Sequence, residues 1–217
     1  MANSLELIFA EFGRPRPDVE KFLRWFPGAT ARVITESNIA FNGPRAGWRL
    51  NDYWKARGLW ETKAEVAIAF DSDMEIVSQD VQTLPILADR FGLCLPANPR
   101  WLVRTDTLIG ADSDKILDSS NGTGFAMNCS PIAFCRGANF VAVEVVEQCW
   151  RILRAHPIRG PLAWWRAAWQ ARFCPCILPP QWCVCQEHIG IGNEIILHVG
   201  HEKVKEFYGT QMCIPRD

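Results

Sequence analysis

Five consecutive apolar residues, Val66 to Phe70, run directly into the tripeptide Asp71-Ser72-Asp73. An apolar side chain at every position of a strand indicates burial on both faces, as in a parallel sheet that is covered by helices. Such sheets bind their ligands at the carboxyl ends of the strands. We therefore expect the carboxylates of Asp71 and Asp73 at an edge of the sheet where a ligand binds.

Strand and helix patterns alternate along the chain on both sides of this tripeptide. The periodicity of apolar residues predicts strands over 5–10, 31–35 and 65–70, and helices over 16–26, 48–58 and 80–91. Beyond a long polar connection at 96–124, it predicts a strand pair over 126–134, helices over 139–155 and 161–172, and a last strand over 195–199. This alternation favours an α/β fold with a mostly parallel central sheet flanked by helices. A chain of 217 residues fits a single domain.

Composition narrows the functional classes. The net charge is -1 at pH 7, with 23 Lys and Arg against 24 Asp and Glu. Charge alone therefore does not indicate a nucleic-acid or membrane-surface binder. The chain begins without a basic segment followed by an apolar run, and none of its apolar stretches reaches the ~20 residues of a membrane span. We expect a cytoplasmic protein with no membrane span.

Nine cysteines without a secretory signal argue against a disulfide framework. Four of them form a cluster, Cys174-Pro-Cys176 and Cys183-Val-Cys185, and four thiolates could hold a tetrahedral zinc. Paired zinc ligands are usually separated by two to four intervening residues, whereas the C-x-C spacing has one and, on a strand, directs both side chains to the same face. The sequence favours small buried thiols on two short strands, and it leaves open whether this cluster binds zinc.

The carboxylates at positions i and i+2 supply the oxygen ligands that Mg²⁺ and Mn²⁺ prefer, and such metals are commonly shared with substrate phosphates. The alternative is a turn or a helix cap after the strand. The same tripeptide recurs as Asp112-Ser113-Asp114. Because that copy follows Gly110 and Ala111 rather than an apolar strand, we interpret it as a solvated loop. The alternative is that it binds the acceptor or a metal.

Further segments extend the pattern to most of the chain. They are Phe125 to Phe134 before a helix, Leu178 to Trp182, and Ile195 to His198 followed by Gly200 and Lys203. Together with the alternating start and the Asp-Ser-Asp tripeptide, they resemble the nucleotide-diphospho-sugar transferases of the GT-A fold, which are glycosyltransferases. Several of these families carry His-x-x-Gly-x-x-Lys. Here Gly200 follows His198 one residue sooner, so His201 stays open as a second candidate metal ligand.

The resemblance implies a single GT-A-like (Rossmann-like) domain over 1–217, in which 1–95 binds nucleotide and metal and 96–217 binds the acceptor and completes the metal site. It implies transfer of a hexosyl or pentosyl group from a nucleotide-diphosphate sugar, with manganese or magnesium as cofactor. The acceptor would be a glycan, a small molecule, a protein or a nucleic acid. The implied metal ligands are Asp71, Asp73, and His198 or His201.

The resemblance also implies nucleotide-sugar contacts and candidate catalytic bases. The nucleotide-sugar contacts would be Arg45, Arg49, Asn51, Asp52, Lys55, Asp71, Ser72, Gly200 and Lys203. An inverting reaction needs a carboxylate base near the acceptor hydroxyl, and a retaining reaction in its simplest form does not. The candidate bases are Glu187, Asp112 and Asp114.

Two other functions stay open from the sequence. A nucleotidyltransferase also combines metal-binding carboxylates with a nucleotide. The other function is that of a non-catalytic module, which is either stabilised by zinc at the cysteine cluster or binds nucleic acid. Nucleic-acid binding is considered because residues 151–172 contain five Arg, no Asp or Glu, and interleaved Trp. Those residues equally suit core packing in which Arg stems cover Trp rings, and the sequence favours that packing.

Overall fold

Strands and helices alternate through the first half of the chain. The computed structural model describes residues 4–13, 17–35, 39–41, 46–101, 125–185, 189–190 and 192–209. The strands are β1 (Leu5–Ala10), β2 (Thr30–Ile34), β3 (Val66–Phe70), β4 (Met74–Ile76), β5 (Leu93–Trp101), β6 (Phe125–Met127), β7 (Ile132–Cys135), β8 (Cys176–Leu178) and β9 (Ile196–His198). The helices are α1 (Val19–Leu23), α2 (Ala46–Glu61), α3 (Leu84–Phe91), α4 (Phe140–Ala155), α5 (Gly160–Gln170) and α6 (Glu202–Gly209), with short 3₁₀ helices at Gln79–Thr83 and Pro180–Trp182.

The central sheet has seven strands in the order β2-β1-β3-β7-β5-β6, and β8 pairs with β5. Strands β1, β2, β3, β5 and β8 run in one direction, and β6 and β7 run in the other. The predicted α/β fold with a mostly parallel central sheet is therefore confirmed. Among the described residues, no helix is both long enough and apolar enough for a bilayer span.

Strand β3 lies in the middle of the sheet and is buried along its whole length. Its Ala67 and Ala69 pack against α2, α4 and α5 in the core on one face. Its Val66, Ile68 and Phe70 pack on the other face, in the core that contains α1 and α3. The continuous apolar run thus occupies the doubly covered position that its composition predicts.

A second, two-stranded sheet lies next to the end of β3. Strands β4 and β9 pair in antiparallel register, with Met74 opposite His198 and Ile76 opposite Ile196. Met74, Ile76 and Ile196 are buried in the core of α1 and α3. This pairing joins the segment that follows Asp71-Ser72-Asp73 to the last strand of the chain.

Several predicted elements differ in detail from the structure. Helix α1 covers only Val19–Leu23 of the helix predicted over 16–26, and β5 continues to Trp101, into the connection predicted at 96–124. The helix predicted over 80–91 divides into a 3₁₀ helix and α3, which begins at Leu84. Pro85 has no N–H group with which to continue an α-helical ladder through that point. The strands predicted over 126–134 are present as β6 and β7, but β5 lies between them. The segment that follows β6 remains hydrogen-bonded to β5, since the Asn128 N–H donates to the carbonyl of Pro96 at 2.8 Å.

Candidate functional site

Asp71 and Asp73 follow β3 at its carboxyl end, as the sequence predicts. Asp71 is buried, and its backbone N–H donates to the hydroxyl oxygen of Ser130 at 2.7 Å. Ser130 lies two residues before β7, the neighbour of β3, so the segment that leads into the adjacent strand fixes the backbone from which the first carboxylate projects. Asp73 lies two residues further on and is partly exposed. Ser130 is not among the site residues predicted from the sequence.

His198 completes a cluster of three potential metal ligands. Its Nε2 atom lies 3.2 Å from Oδ1 of Asp73 and 3.8 Å from Oδ2 of Asp71. One ligand atom from each of the three residues lies within 4.8 Å of the others. The register of β4 with β9 produces this approach, because it places His198 opposite Met74, the residue after Asp73.

Gly200 explains how the loop after β9 comes so close to Asp73. A Cβ atom at position 200 would lie 1.9 Å from Oδ2 of Asp73. A side chain there would therefore displace the carboxylate. The predicted site residue Gly200 is thus adjacent to the acidic pair, and its lack of a side chain makes the observed position of Asp73 possible.

The charges and donor atoms of this cluster suit a divalent metal ion. Burial opposes the charge on His198, but hydrogen bonds with Asp73 and Cys185 and the charge of Asp71 raise the pKa of the imidazole to about 10. The ring must therefore lose a proton before one of its nitrogens can bind a metal. Two carboxylate oxygens and an imidazole nitrogen also form a donor set that suits Mn²⁺ and accommodates Mg²⁺, so these residues fit the divalent metal that the GT-A resemblance implies.

Lys55 connects Asp71 to the interior of the protein. Its side chain is 1% exposed, and Nζ lies 2.6 Å from Oδ1 of Asp71. The same ammonium donates to the carbonyl of Cys129 at 2.8 Å and lies 3.8 Å from Oδ1 of Asp52. Burial opposes the charge of Lys55, but the charges of Asp71 and Asp52, together with the hydrogen bond to Asp71, outweigh it and raise the pKa of Lys55. A buried cation therefore fixes the first carboxylate in place.

Asp52 and Gly160 join α2 to the start of α5. The Gly160 N–H donates to Oδ2 of Asp52 at 2.8 Å, and the Cys129 thiol donates to Oδ1 at 3.2 Å. A Cβ at position 160 would lie 2.7 Å from Cγ of Asp52. The carboxylate thus lies at a helix N-terminus, where the backbone dipole favours negative charge.

Asn51 and Arg49, two further residues of α2, form contacts with other residues of the protein. The Asn51 side chain accepts from the Phe12 N–H at 2.9 Å and donates to the Phe12 carbonyl at 3.0 Å. This pair of bonds anchors the chain that follows β1. The guanidinium of Arg49 is buried and lies 4.3 Å from the centre of the Phe41 ring.

The remaining predicted site residues occupy different surroundings. The Ser72 hydroxyl oxygen is buried and has no hydrogen-bond partner among the described atoms. Lys203 is exposed in the first turn of α6. The His201 ring packs edge-on against His198, with 4.7 Å between ring centres. The other candidates lie outside the described residues: Arg45, Asp112, Asp114 and Glu187.

The four clustered cysteines lie in two separate surroundings. Cys176 in β8 is paired in register with Cys94 in β5, and Cys174 is exposed. Cys183 and Cys185 are buried, with 3.7 Å between their sulfurs. Cys185 also lies 4.0 Å from Nδ1 of His198. A hydrogen bond from Cys183, together with His198, lowers the pKa of Cys185, while the same hydrogen bond raises that of Cys183.

The Arg- and Trp-rich segment at 151–172 contributes mainly to the core. Trp164 and Trp165 are buried between α2, α4 and α5. Trp169 is half exposed and stacks on Trp165, with 5.6 Å between ring centres. The guanidinium of Arg159 covers the Trp48 ring at 4.7 Å. This is the packing that the sequence favours for these residues.

The comparisons with known proteins identify the fold. No family model and no curated protein sequence matches the chain. A glycosyltransferase involved in the glycosylation of the major capsid of PBCV-1 is similar in structure over 96% of this chain and 100% of its own, with 10% identity and a TM-score of 0.58. The bifunctional glycosyltransferase WbbM is similar over 99% of this chain, which spans 50% of WbbM, with 10% identity and a TM-score of 0.56. The chain therefore has a glycosyltransferase fold of the GT-A type.

Proposed function

We propose that this protein is a glycosyltransferase that uses a divalent metal to transfer a sugar from a nucleotide-diphosphate sugar. The observation that carries the proposal is the convergence of Asp71, Asp73 and His198 at the carboxyl end of β3. That end of a strand is where open α/β sheets bind their ligands. The two structurally similar glycosyltransferases support the same reaction class.

The ligands of the metal would be Asp71, Asp73 and Nε2 of His198. We choose His198 over His201 because its ring contacts both carboxylates. When bound, Mn²⁺ or Mg²⁺ would offset the negative charge that develops on the diphosphate leaving group. Lys55 would hold Asp71 in position from the buried side.

The donor would be bound by residues around the metal ligands. The buried Ser72 hydroxyl has unused hydrogen-bonding capacity beside the carboxylates. Lys203 is exposed and close in sequence to His198, and we assign to it a contact with the diphosphate. We assign Asn51 and Asp52 a positioning role, because their polar atoms hold Phe12 and Gly160.

The remaining assignments stay predictions from the sequence. Arg45 and Arg49 would contact the nucleotide, since Arg suits bidentate contact with phosphate. Glu187, Asp112 and Asp114 are the candidate bases for an inverting reaction.

Binding and product analysis together test this function. Thermal shifts of the protein with a panel of nucleotide-diphosphate sugars should show stabilisation that depends on Mn²⁺. A ligand at 100 times its dissociation constant adds about 2.7 kcal/mol to the unfolding free energy. Release of a nucleoside diphosphate supports sugar transfer, whereas release of pyrophosphate would assign the site to nucleotidyl transfer.

Matched variants complete the test. Asp73→Asn should abolish the Mn²⁺-dependent shift. Asp80→Asn, which alters an exposed carboxylate in the first turn of the 3₁₀ helix, should retain it. Equal shifts in both variants would contradict the metal assignment.

A further inference from the structure

A second set of potential metal ligands lies on the opposite edge of the His198 ring. The sulfurs of Cys183 and Cys185 are 3.7 Å apart, and Sγ of Cys185 is 4.0 Å from Nδ1 of His198. One ligand atom from each of these residues lies within 4.8 Å of the others. Both cysteines are buried, with 2% and 8% exposure.

The backbone around Val184 creates this arrangement. The Val184 N–H donates to the Ile196 carbonyl at 2.9 Å, and the His198 N–H donates to the Val184 carbonyl at 3.0 Å. Residues 183–185 therefore run alongside β9. The Val184 side chain packs in a separate cluster with Leu197 and α6. The cysteines on either side of it point away from that cluster and toward the His198 ring, as the C-x-C spacing on an extended segment allows.

The distances suit a thiophilic metal ion. Zinc–sulfur bonds are about 2.3 Å long, so two sulfurs on a tetrahedral zinc lie about 3.8 Å apart. The observed separation of 3.7 Å needs almost no rearrangement. His201 lies next to this set, with 4.7 Å between its ring centre and that of His198.

The surroundings resemble the outer shell of a zinc site. A histidine that binds zinc through one nitrogen commonly donates its other N–H to a carboxylate. Here Nε2 of His198 lies 3.2 Å from Oδ1 of Asp73 while Nδ1 faces Cys185. The Asn128 amide also donates to the sulfur of Cys183 at 3.6 Å.

We propose that Cys183, Cys185 and Nδ1 of His198 form a binding site for a thiophilic divalent metal of the zinc class. Loading this site displaces the protons that the two cysteines and Nδ1 of His198 carry. The site goes beyond the proposed function, but its competition with the carboxylate metal site rests on that function. A neutral imidazole has one N–H and one free lone pair. Zinc on Nδ1 leaves Nε2 as a donor to Asp73, so His198 then no longer serves the carboxylate site, and the two metals exclude each other.

Cobalt spectroscopy tests the thiolate site without any transferase assay. Co²⁺ added to chelator-treated protein under a non-thiol reductant should give one equivalent of thiolate-to-cobalt charge-transfer absorption, which Zn²⁺ abolishes. Cys183→Ser and Cys185→Ser should lose this absorption, and the exposed-cysteine control Cys174→Ser should retain it. Cobalt absorption without a charge-transfer band in the unaltered protein would overturn the proposal, whatever the folding of the variants.

Two further arms separate this proposal from the proposed function. Asp73→Asn should retain the thiolate–cobalt band, because it removes a ligand of the carboxylate site but keeps an amide oxygen that can accept from Nε2 of His198. In the unaltered protein, one equivalent of Zn²⁺ should release bound Mn²⁺, as measured by the electron paramagnetic resonance signal of free Mn²⁺. Cys185→Ser should need more Zn²⁺ for the same release, because Zn²⁺ then competes only at the carboxylate site. Simultaneous binding of both metals would overturn the exclusion. A thiolate–cobalt band without any Mn²⁺ binding would uphold the site and contradict the proposed function.

Discussion

Met74 and His198 lie opposite each other in the antiparallel pair of β4 and β9. Met74 directly follows Asp73, and His198 is 125 residues from Asp73 in sequence. One pair of three-residue strands therefore carries the imidazole to the carboxylates. Because Ile76 and Ile196 in the same strands are buried in the core, the position of the candidate metal ligands depends on packing as much as on the ligands themselves.

The two carboxylates should differ in their effect on stability. Asp71→Asn removes the closest partner of buried Lys55, and loss of one member of a buried ion pair costs about 3–5 kcal/mol. Asp52, 3.8 Å from the ammonium, offsets part of this loss. Asp73 is partly exposed, so we expect less than about 1 kcal/mol for Asp73→Asn. Urea unfolding of the two variants measures the difference, and equal losses would contradict the role of Lys55 as the buried support of Asp71.

Lys55 and Asp71 should be strongly coupled in a double-mutant cycle. Lys55→Met leaves Asp71 buried without its cation, and Asp71→Asn leaves Lys55 without its closest anion. We expect the double variant to be more stable than the sum of the single losses predicts, with a coupling free energy above about 1 kcal/mol. Additive losses in chemical denaturation would show that the 2.6 Å contact is not an energetic pair.

Gly200→Ala should damage the metal site with little effect on the fold. The new methyl group would overlap the Asp73 carboxylate, at 1.9 Å from Oδ2, so the carboxylate must turn away. We expect Mn²⁺ affinity in calorimetry to fall at least about tenfold, which corresponds to about 1.4 kcal/mol. The matched control is Gly137→Ala, at a position where a Cβ meets no atom within 4 Å. Retained affinity in Gly200→Ala would indicate that Asp73 is not a ligand.

Asn51→Ala should reduce stability and leave metal binding intact. The change deprives the Phe12 N–H and carbonyl of their partners, and each buried polar group left unpaired costs about 1–3 kcal/mol. Thermal unfolding with and without Mn²⁺ separates the two effects. Unchanged stability in the variant would support a contact with nucleotide as the main role of Asn51, as the family resemblance implies, instead of the positioning role proposed above.

The sequence by itself determined the alternating α/β pattern, the buried strand β3 and the placement of Asp71 and Asp73 at its end. These features are local. The run of apolar residues from Val66 to Phe70 is typical of a strand covered on both faces, and the polar residues that follow it lie at the end of that strand. The periodicity of α4 likewise predicts that helix over nearly its full length, because its apolar residues repeat on one face.

The tertiary structure alone decided which distant residues meet those carboxylates. The sequence left His198 and His201 as alternatives, and the β4–β9 register placed the His198 ring on Asp71 and Asp73. In the sequence, the four cysteines form one cluster. In the structure, β8 pairs with β5, so Cys176 lies beside Cys94, whereas Cys185 of the Cys183–Cys185 pair lies beside His198. The physical reason is that strand register and packing join residues far apart in the chain, and local periodicity carries no information about which segments pair.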